Sequence, residues 1–457
     1  MKNSKKLLFA MLPVLAMSLV GCGNGGGGGQ PEKEIEDTYL PADYKANISI
    51  LIPNGNANEK TMVEEAIKVF NTKWPDVTVN LKYVAVKEWE NTVRNQNIAG
   101  TLPDIVWSNS PDYYYLIDSK IGLNLTPYLK GSEQAGDFDF DVDFYTEYFD
   151  MGSKDGKLYC VPRSCDSVVT FYNKELLNAA KIDMSDMVNG WSWETFMSKL
   201  DLYRKYLDLN GKSNYYCLDM NLFSWLSVNY PILASYGGSL FDKNLNITVD
   251  SEETRKALTM IREMVDKRYI PYKGVTASNN FEGGTCPFLF QSSSISHYDK
   301  MSAIKGKIDI VSFPKIDANS TPKIGCGIAG YAINAKTQHK VACWQLINTM
   351  ISYDGQQAMA LGDLNLPSVR KDLQDPATAN WMKGYTDRNL AAYTYGGEYK
   401  IDPKFLSWVK STQKSDLSTA LCDMFENVTR TDKGTAIECI EYAVKTCVDD
   451  IKYALDY

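Results

Sequence analysis

The sequence predicts an α/β fold built on a parallel sheet, and three observations near its start carry that expectation. Ile48, Ile50 and Ile52 alternate with Asn47, Ser49 and Leu51, the mark of a largely buried strand. Val63, Ala66, Ile67, Phe70 and Trp74 fall at i, i+3, i+4, i+7 and i+11 on one helical face, and Pro75 ends that helix. Val77, Val79, Leu81 and Tyr83 then alternate as a second strand. A helical stretch around Trp89 and Val93 and a third strand over Leu102 to Trp107 complete the pattern. Strand, helix, strand, helix, strand within about 60 residues is what βαβ units require. Ligands of such sheets sit beyond the carboxyl ends of the strands, which puts Asn54 to Asn56 and Trp107 to Asn109 at the edge of a site.

The later elements follow the same logic. Trp191-Ser192-Trp193-Glu194 opens a helix running to about Leu207. Ser251 caps another, with Glu252 and Glu253 in its first turn and Ala257, Leu258, Ile261 and Val265 along one face. Ile308 to Val311 is strand-like, and Cys343 to Ile351 and Ile437 to Ile451 read as amphipathic helices. No internal repeat is visible.

The amino terminus reads as an address. Lys2, Lys5 and Lys6 precede an apolar run from Leu7 to Val20, too short to span a bilayer comfortably but suited to a signal-peptide core. Leu19-Val20-Gly21-Cys22 resembles the bacterial lipobox, in which cleavage precedes a Cys that carries diacylglycerol. Residues 1–21 are then a signal peptide. Residues 22–45, with five consecutive glycines from Gly25 to Gly29, are a lipidated Cys22 and flexible tether.

Composition narrows the function. The 457 residues are 44% hydrophobic and 23% charged, a globular composition whose length suggests about two or three structural units. Net charge is −8, and removing the three signal-peptide lysines takes it to −11, which opposes a nucleic-acid partner. Two histidines, His297 and His339, leave little for zinc or His-base chemistry. None of the ten cysteines forms Cys-x-x-Cys, and setting Cys22 aside leaves an odd number in apolar runs, the pattern of small buried hydrophobes. No P-loop, Gly-x-Ser-x-Gly or His-Glu-x-x-His motif occurs. Asp137, Asp139, Asp141 and Asp143 alternate with apolar residues, but Val142 and Tyr148 stand where an EF-hand needs Gly and Glu. A solvated acidic edge strand or loop is the better account. Aromatic content of 12%, with 29 Tyr, suits stacking on the apolar faces of sugars.

Several segments in order resemble family 1 extracellular solute-binding proteins, the maltose-binding-protein-like carbohydrate receptors of ABC importers. They are Asp155-Gly156-Lys157-Leu158-Tyr159-Cys160-Val161-Pro162, Phe171 to Leu177 (FYNKELL), Tyr236-Gly237-Gly238-Ser239-Leu240-Phe241, Gly327 to Ile333 (GIAGYAI) and Leu366-Pro367-Ser368. The resemblance implies two α/β lobes, discontinuous in sequence and joined by a hinge, with the ligand held in the cleft. Lobe one would be 46–157 plus 309–353, and lobe two 158–308 plus 354–457. Hinge closure would report occupancy to the permease.

By the same resemblance Tyr230, just before Pro231, takes the place of an aromatic that stacks on the sugar, with Tyr236 in the turn that follows. Asp166, four residues after Pro162, matches an acidic residue that hydrogen-bonds hydroxyls. Asn54, Asn56 and Glu59 belong to a first contact loop, and Trp107 and Asn109 to a second. Gln291 stands in a wall where relatives carry Trp, and Cys326-Gly327 replaces a Gly-Gly pair. Each has a structural alternative: Tyr230 packing under the Tyr236 turn, Asp166 capping a local turn, Trp107 in the core. Arg163 and Arg370 either bind an acidic sugar or make surface ion pairs. The chain is thus expected to capture a carbohydrate, an oligosaccharide by preference, and to deliver it to an importer. It would do so as a monomer, without catalysis, cofactor or metal, held to the outer face of the cytoplasmic membrane by its lipid alone. A secreted glycan-active enzyme and a ligand-sensing or adhesion lipoprotein are the competing readings.

Overall fold

The computed structural model describes residues 33–54, 57–110, 112–219, 225–292, 294–360 and 367–456. The expectations for Cys22, for the signal peptide and for Asn56 lie outside the described residues. The chain divides into two units, Met1–Glu34 and Ile35–Tyr457, and every element named below belongs to the second.

The opening pattern folds as its periodicity dictates. Strand β1 (Ala46–Pro53), helix α1 (Ala57–Lys73), strand β2 (Val77–Val84), helix α2 (Trp89–Ala99) and strand β3 (Ile105–Asn109) alternate, with α3 (Tyr113–Asp118) close behind. β1 lies between β2 and β3 and parallel to both, with Ala46 beside Val77 and Ile50 beside Ile105. Ile48, Ile50, Leu51 and Ile52 are wholly buried, as are Val63, Ala66 and Phe70 on the facing side of α1.

The next strands carry the chain between two sheets. β4 (Val161–Ser167) runs almost directly into β5 (Val169–Asn173). β5 is the centre of a second, antiparallel sheet, flanked by β6 (Phe288–Gln291) and β7 (Ile308–Ser312). After α4 (Trp193–Leu209), α5 (Leu226–Ser235) and α6 (Glu252–Asp266), the long strand β8 (Ile324–Ile333) returns to the first sheet. β8 pairs antiparallel with β3 on one side and with β4 on the other. The first sheet is therefore mixed, because its fourth strand arrives from the second lobe and enters from the opposite end. Helices α7 (Lys340–Ile351) and α8 (Tyr353–Met359) follow, then the short β9 (Lys400–Ile401) beside β8, then α9 (Lys414–Asn427) and α10 (Ala436–Ala454).

Two lobe boundaries differ from the sequence expectation. Residues 309–312 sit in the second sheet, paired with β5, so the chain re-enters the first sheet at Ile324. Tyr353–Met359 packs on α1 and so belongs with the first lobe. The acidic stretch also differs: Phe140–Asp143 is one helical turn, capped by Asp139 accepting from the Val142 amide. Its rings Phe138, Phe140 and Phe144 point inward and pack on one another. The alternation was that of a helix entry, with three apolar residues anchoring it.

Caps close the helices where the sequence puts hydroxyls. Ser192 accepts from the Thr195 amide and Ser251 from the Thr254 amide, both at 3.2 Å, and Thr435 with Glu438 forms a capping box on α10. The second sheet separates two cores. Phe288 and Phe290 face Trp193 and Phe196 in the larger, while Leu289 faces a smaller cluster with Ile308, Ile310, Trp381 and Tyr393. All nine described cysteines are unbridged, and all but the half-buried Cys422 are buried.

Candidate binding cleft

The carboxyl end of β3 collects buried polar atoms that find no partner among the described residues. Trp107 Nε1, Ser108 Oγ, Asn109 Oδ1 and Ser110 Oγ form such a run. A buried polar atom left unpaired costs about 1–3 kcal/mol, so four in succession mark a place where the pairing comes from elsewhere. The backbone there is secure. The Trp107 carbonyl accepts from Trp89 Nε1 at 2.8 Å, and the Ser110 amide donates to the Ile328 carbonyl at 2.9 Å.

A cavity of about 420 Å³ opens at this strand end. Ser110 and Tyr114 form its first-sheet side, and Cys326 and Gly327 of β8 form its floor. Trp225, Leu226 and Ser227 face it from the start of α5, Asp402, Pro403 and Leu406 from the irregular segment after β9, and Ser415, Ser418, Thr419 and Cys422 from α9. Gly327 is extended, and a Cβ built there would meet nothing within 4 Å, so its backbone borders open space. Gly325, two residues earlier, is the opposite case: its Cβ would fall 1.6 Å from the Ser227 carbonyl, so only glycine lets α5 approach β8 this closely.

The charges around the cavity are buried and unequal. Asp402 is 4% exposed, and burial pushes its carboxyl up to about 6 against the pull of Lys404. Its Oδ1 has no partner among the described residues. Lys400 donates to the Tyr148 hydroxyl at 2.6 Å and to the Tyr393 carbonyl at 2.8 Å, while burial holds its ammonium below the usual lysine range. The Lys414 ammonium lies 3.6 Å from the centre of the Tyr114 ring and is pushed down to about 7 by burial.

The residues singled out from sequence are distributed unevenly about this cavity. Gly327 lines it, and Asp166 lies opposite Gly327 in the β4–β8 ladder, its carboxyl raised by burial with Arg163 opposing. Trp107 and Asn109 precede Ser110 at the end of β3 and do not line it. Tyr230 is one turn beyond Ser227 on α5, half-buried and edge-on to Phe405 at 5.7 Å, and does not line the cavity. Tyr236 caps the far end of α5, with Glu263 of α6 acting on its phenol. Gln291 ends β6 beside Val169, and its side chain accepts from the Ser292 amide. Asn54 is exposed at the end of β1, its amide donating to the Val84 carbonyl at 2.6 Å.

Glu59 requires a correction. It stands in the first turn of α1 and not in a loop, is 1% exposed, and accepts from Arg163 Nε and Nη2, one edge of the guanidinium, at 3.1 and 2.6 Å. The Tyr331 hydroxyl donates to the same carboxylate at 2.5 Å. A carboxylate this committed is a tie between α1, β4 and β8. Neither arginine makes a surface pair: Arg163 is buried against Glu59, and Arg370 is buried on the Phe144 ring with Asp372 and Asp143.

Several cavity residues escaped the sequence reading, with different excuses. Ser415, Ser418, Thr419 and Cys422 fall at i, i+3, i+4 and i+7, a small polar stripe that periodicity does reveal. Trp225 lies five residues before Tyr230, just outside the segment that the resemblance singles out. Asp402 sits among short 3₁₀ turns, where no local pattern distinguishes it.

Among the described residues no helix is long and apolar enough to cross a membrane, and no group of three His, Cys, Asp or Glu is arranged to hold a metal. The fold is that of two-lobed binding proteins. An ABC substrate-binding protein from Listeria monocytogenes in complex with cycloalternan superposes with a TM-score of 0.68 at 20% identity, covering 91% of this chain and 100% of that one. The sugar-binding protein MalE from Xanthomonas citri gives 0.71 at 17% identity, covering 89% and 98%. In sequence, arabinooligosaccharide-binding proteins of Halalkalibacterium halodurans and Bacillus subtilis are 20% and 24% identical over 296 and 293 residues, or 61% and 60% of this chain. The match spans 62% of the length of each of these relatives. The family model for bacterial extracellular solute-binding proteins matches residues 65–387, and the chain belongs to that family.

Proposed function

We propose that this protein captures a carbohydrate, preferentially an oligosaccharide, in the cavity at the end of β3 and delivers it to the permease of an ABC importer. The observation that carries the reading is the cavity itself, where the hydroxyl residues Ser110, Ser227, Ser415, Ser418 and Thr419 are gathered with Trp225. Hydroxyls of a sugar donate and accept at once, so they match the serine and threonine hydroxyls of this lining, and Trp225 supplies an aromatic wall for a ring face. Asp166, Trp107, Asn109, Tyr230 and Gly327 are the sequence-derived residues we retain in or beside the site, and Asn54, Tyr236 and Gln291 are at most peripheral to it. The ligands named for similar proteins, arabinooligosaccharides and cycloalternan, support the ligand class. The protein acts as a monomeric receptor without catalysis, tethered through Cys22 to the outer face of the cytoplasmic membrane.

The test uses protein beginning after Cys22, with thermal midpoints recorded against arabino- and gluco-oligosaccharides and chromatography of every hit. Binding to the native state alone stabilises by about 2.7 kcal/mol at a hundredfold excess over Kd, so a cognate sugar raises the midpoint by several degrees. A shift with the sugar intact supports the receptor, whereas cleaved sugar overturns it in favour of an enzyme. Metabolic labelling of the full chain with palmitate, lost in Cys22→Ser, tests the anchor.

A further inference from the structure

Lys414 begins α9 with its charge in an unusual place. The residue is 7% exposed, its ammonium has no hydrogen-bond partner among the described residues, and it lies 3.6 Å from the centre of the Tyr114 ring. Tyr114 belongs to α3, which follows β3 out of the first sheet, whereas α9 packs on α5 and α10. In the two-lobed fold this contact spans both lobes, and it does so at the rim of the cavity, which Tyr114 and Ser415 both line. The acids acting on the ammonium are Asp112 just before α3, Asp118 at its end and Glu90 of α2, and Lys154 of the short hairpin before β4 adds a like charge. Asp118 is taken by Lys154 at 2.9 Å and Glu90 by Arg94 at 2.5 Å. An aromatic face attracts a cation, but it replaces none of the three directed hydrogen bonds that an ammonium makes in water.

We infer that Lys414 couples closure of the two lobes to release of a proton: its ammonium gives a proton to solvent as the amine seats on Tyr114 around a bound ligand, and regains it when α9 lifts away. This rests on the carbohydrate-capture reading and adds a proton to its equilibrium. Burial without hydrogen bonds penalises the charged form of a lysine, whereas a hydrated lysine keeps its proton to about pH 10.4. In the seated position the ammonium is pushed down to about 7, burial being the largest cause, with Asp118, Asp112 and Glu90 opposing and Lys154 assisting. Between those limits the closed form carries fewer protons than the open one, so affinity rises with pH. The other buried groups nearby do not imitate this. Asp112 and Asp402 are raised to about 6, so by about pH 8 they are ionised whether buried or hydrated. The Cys422 thiol, raised to about 11 by burial, takes up a proton on closure and works in the opposite sense.

The experiment titrates the wild-type protein calorimetrically with arabinotriose and with maltotetraose in buffers of different ionisation enthalpy, which reads the protons exchanged per sugar bound. At about pH 8 the wild type is expected to release about half a proton or more, with affinity rising about threefold or more per pH unit around that point. Lys414→Met and Lys414→Arg carry side chains that do not titrate in this range, so both are expected to lose the release and the slope. Lys414→Arg keeps a charge at the position, so the comparison stands where Lys414→Met misfolds. Wild-type binding without proton exchange, or with uptake, overturns the inference and leaves carbohydrate capture standing. So does a release that persists undiminished in either variant. Failure of both sugars to bind the wild type overturns capture of these sugars and the inference with it.

Discussion

The tie between Glu59 and Arg163 offers a sharp test of what the tertiary structure adds. Arg163→Met removes a guanidinium that meets Glu59 at 3.1 and 2.6 Å while both side chains are almost wholly buried, at 8% and 0% exposure. The carboxylate then keeps the Tyr331 hydroxyl at 2.5 Å but loses its counter-charge in a site that water does not reach. Breaking one side of a buried pair costs about 3–5 kcal/mol, because the penalty is an uncompensated charge. A surface pair, the alternative open from sequence, would cost about 0–1 kcal/mol. The assay is urea unfolding followed by tryptophan fluorescence, with the shift in midpoint converted through the slope. The double variant Glu59→Met, Arg163→Met removes both charges and is expected to recover most of the loss. Saccharide affinity per folded molecule should survive in Glu59→Gln, since that carboxylate is committed inward. A single-variant loss below about 1 kcal/mol, or a double variant no better than the single, would refute the account.

The remaining predictions concern the cavity itself. Trp225→Ala is expected to weaken saccharide binding about tenfold or more with little change in melting temperature, whereas Tyr230→Ala costs stability through its contact with Phe405 and shifts affinity less; equilibrium titration beside thermal melts separates the two. Gly327→Leu fills open space, so the protein folds and ligand-induced stabilisation disappears, while Gly325→Ala collides with the Ser227 carbonyl and lowers the melting temperature. Because burial raises Asp402 to about 6 from 3.8, the folded state holds its proton more tightly than the unfolded chain. This group therefore adds stability as pH falls from about 6 to about 4, an increment absent in Asp402→Asn and read by thermal melts across that range. Burial drives that titration upward, and Lys404 on the same segment and a backbone hydrogen bond oppose it.

Much of the fold was legible because its causes are local. Apolar period and capping hydroxyls mark β1, α1, β2, α4 and α6 within a few residues, since backbone geometry alone converts those spacings into faces. The proposed place of the site was read from the same local logic: the ends of parallel strands are where polar loops gather, and β3 ends in the orphaned run from Trp107 to Ser110. The identity of the lining was not. It draws on five segments that lie up to about 300 residues apart and meet only because β4 and β8 carry the chain between two sheets. No periodicity distinguishes Asp402 from other acidic residues, or Glu59 from a loop carboxylate that greets solvent. What separates them is whether water or a counter-ion reaches their oxygens, and desolvation is a property of the packed whole: it has no value until distant segments have closed around the group.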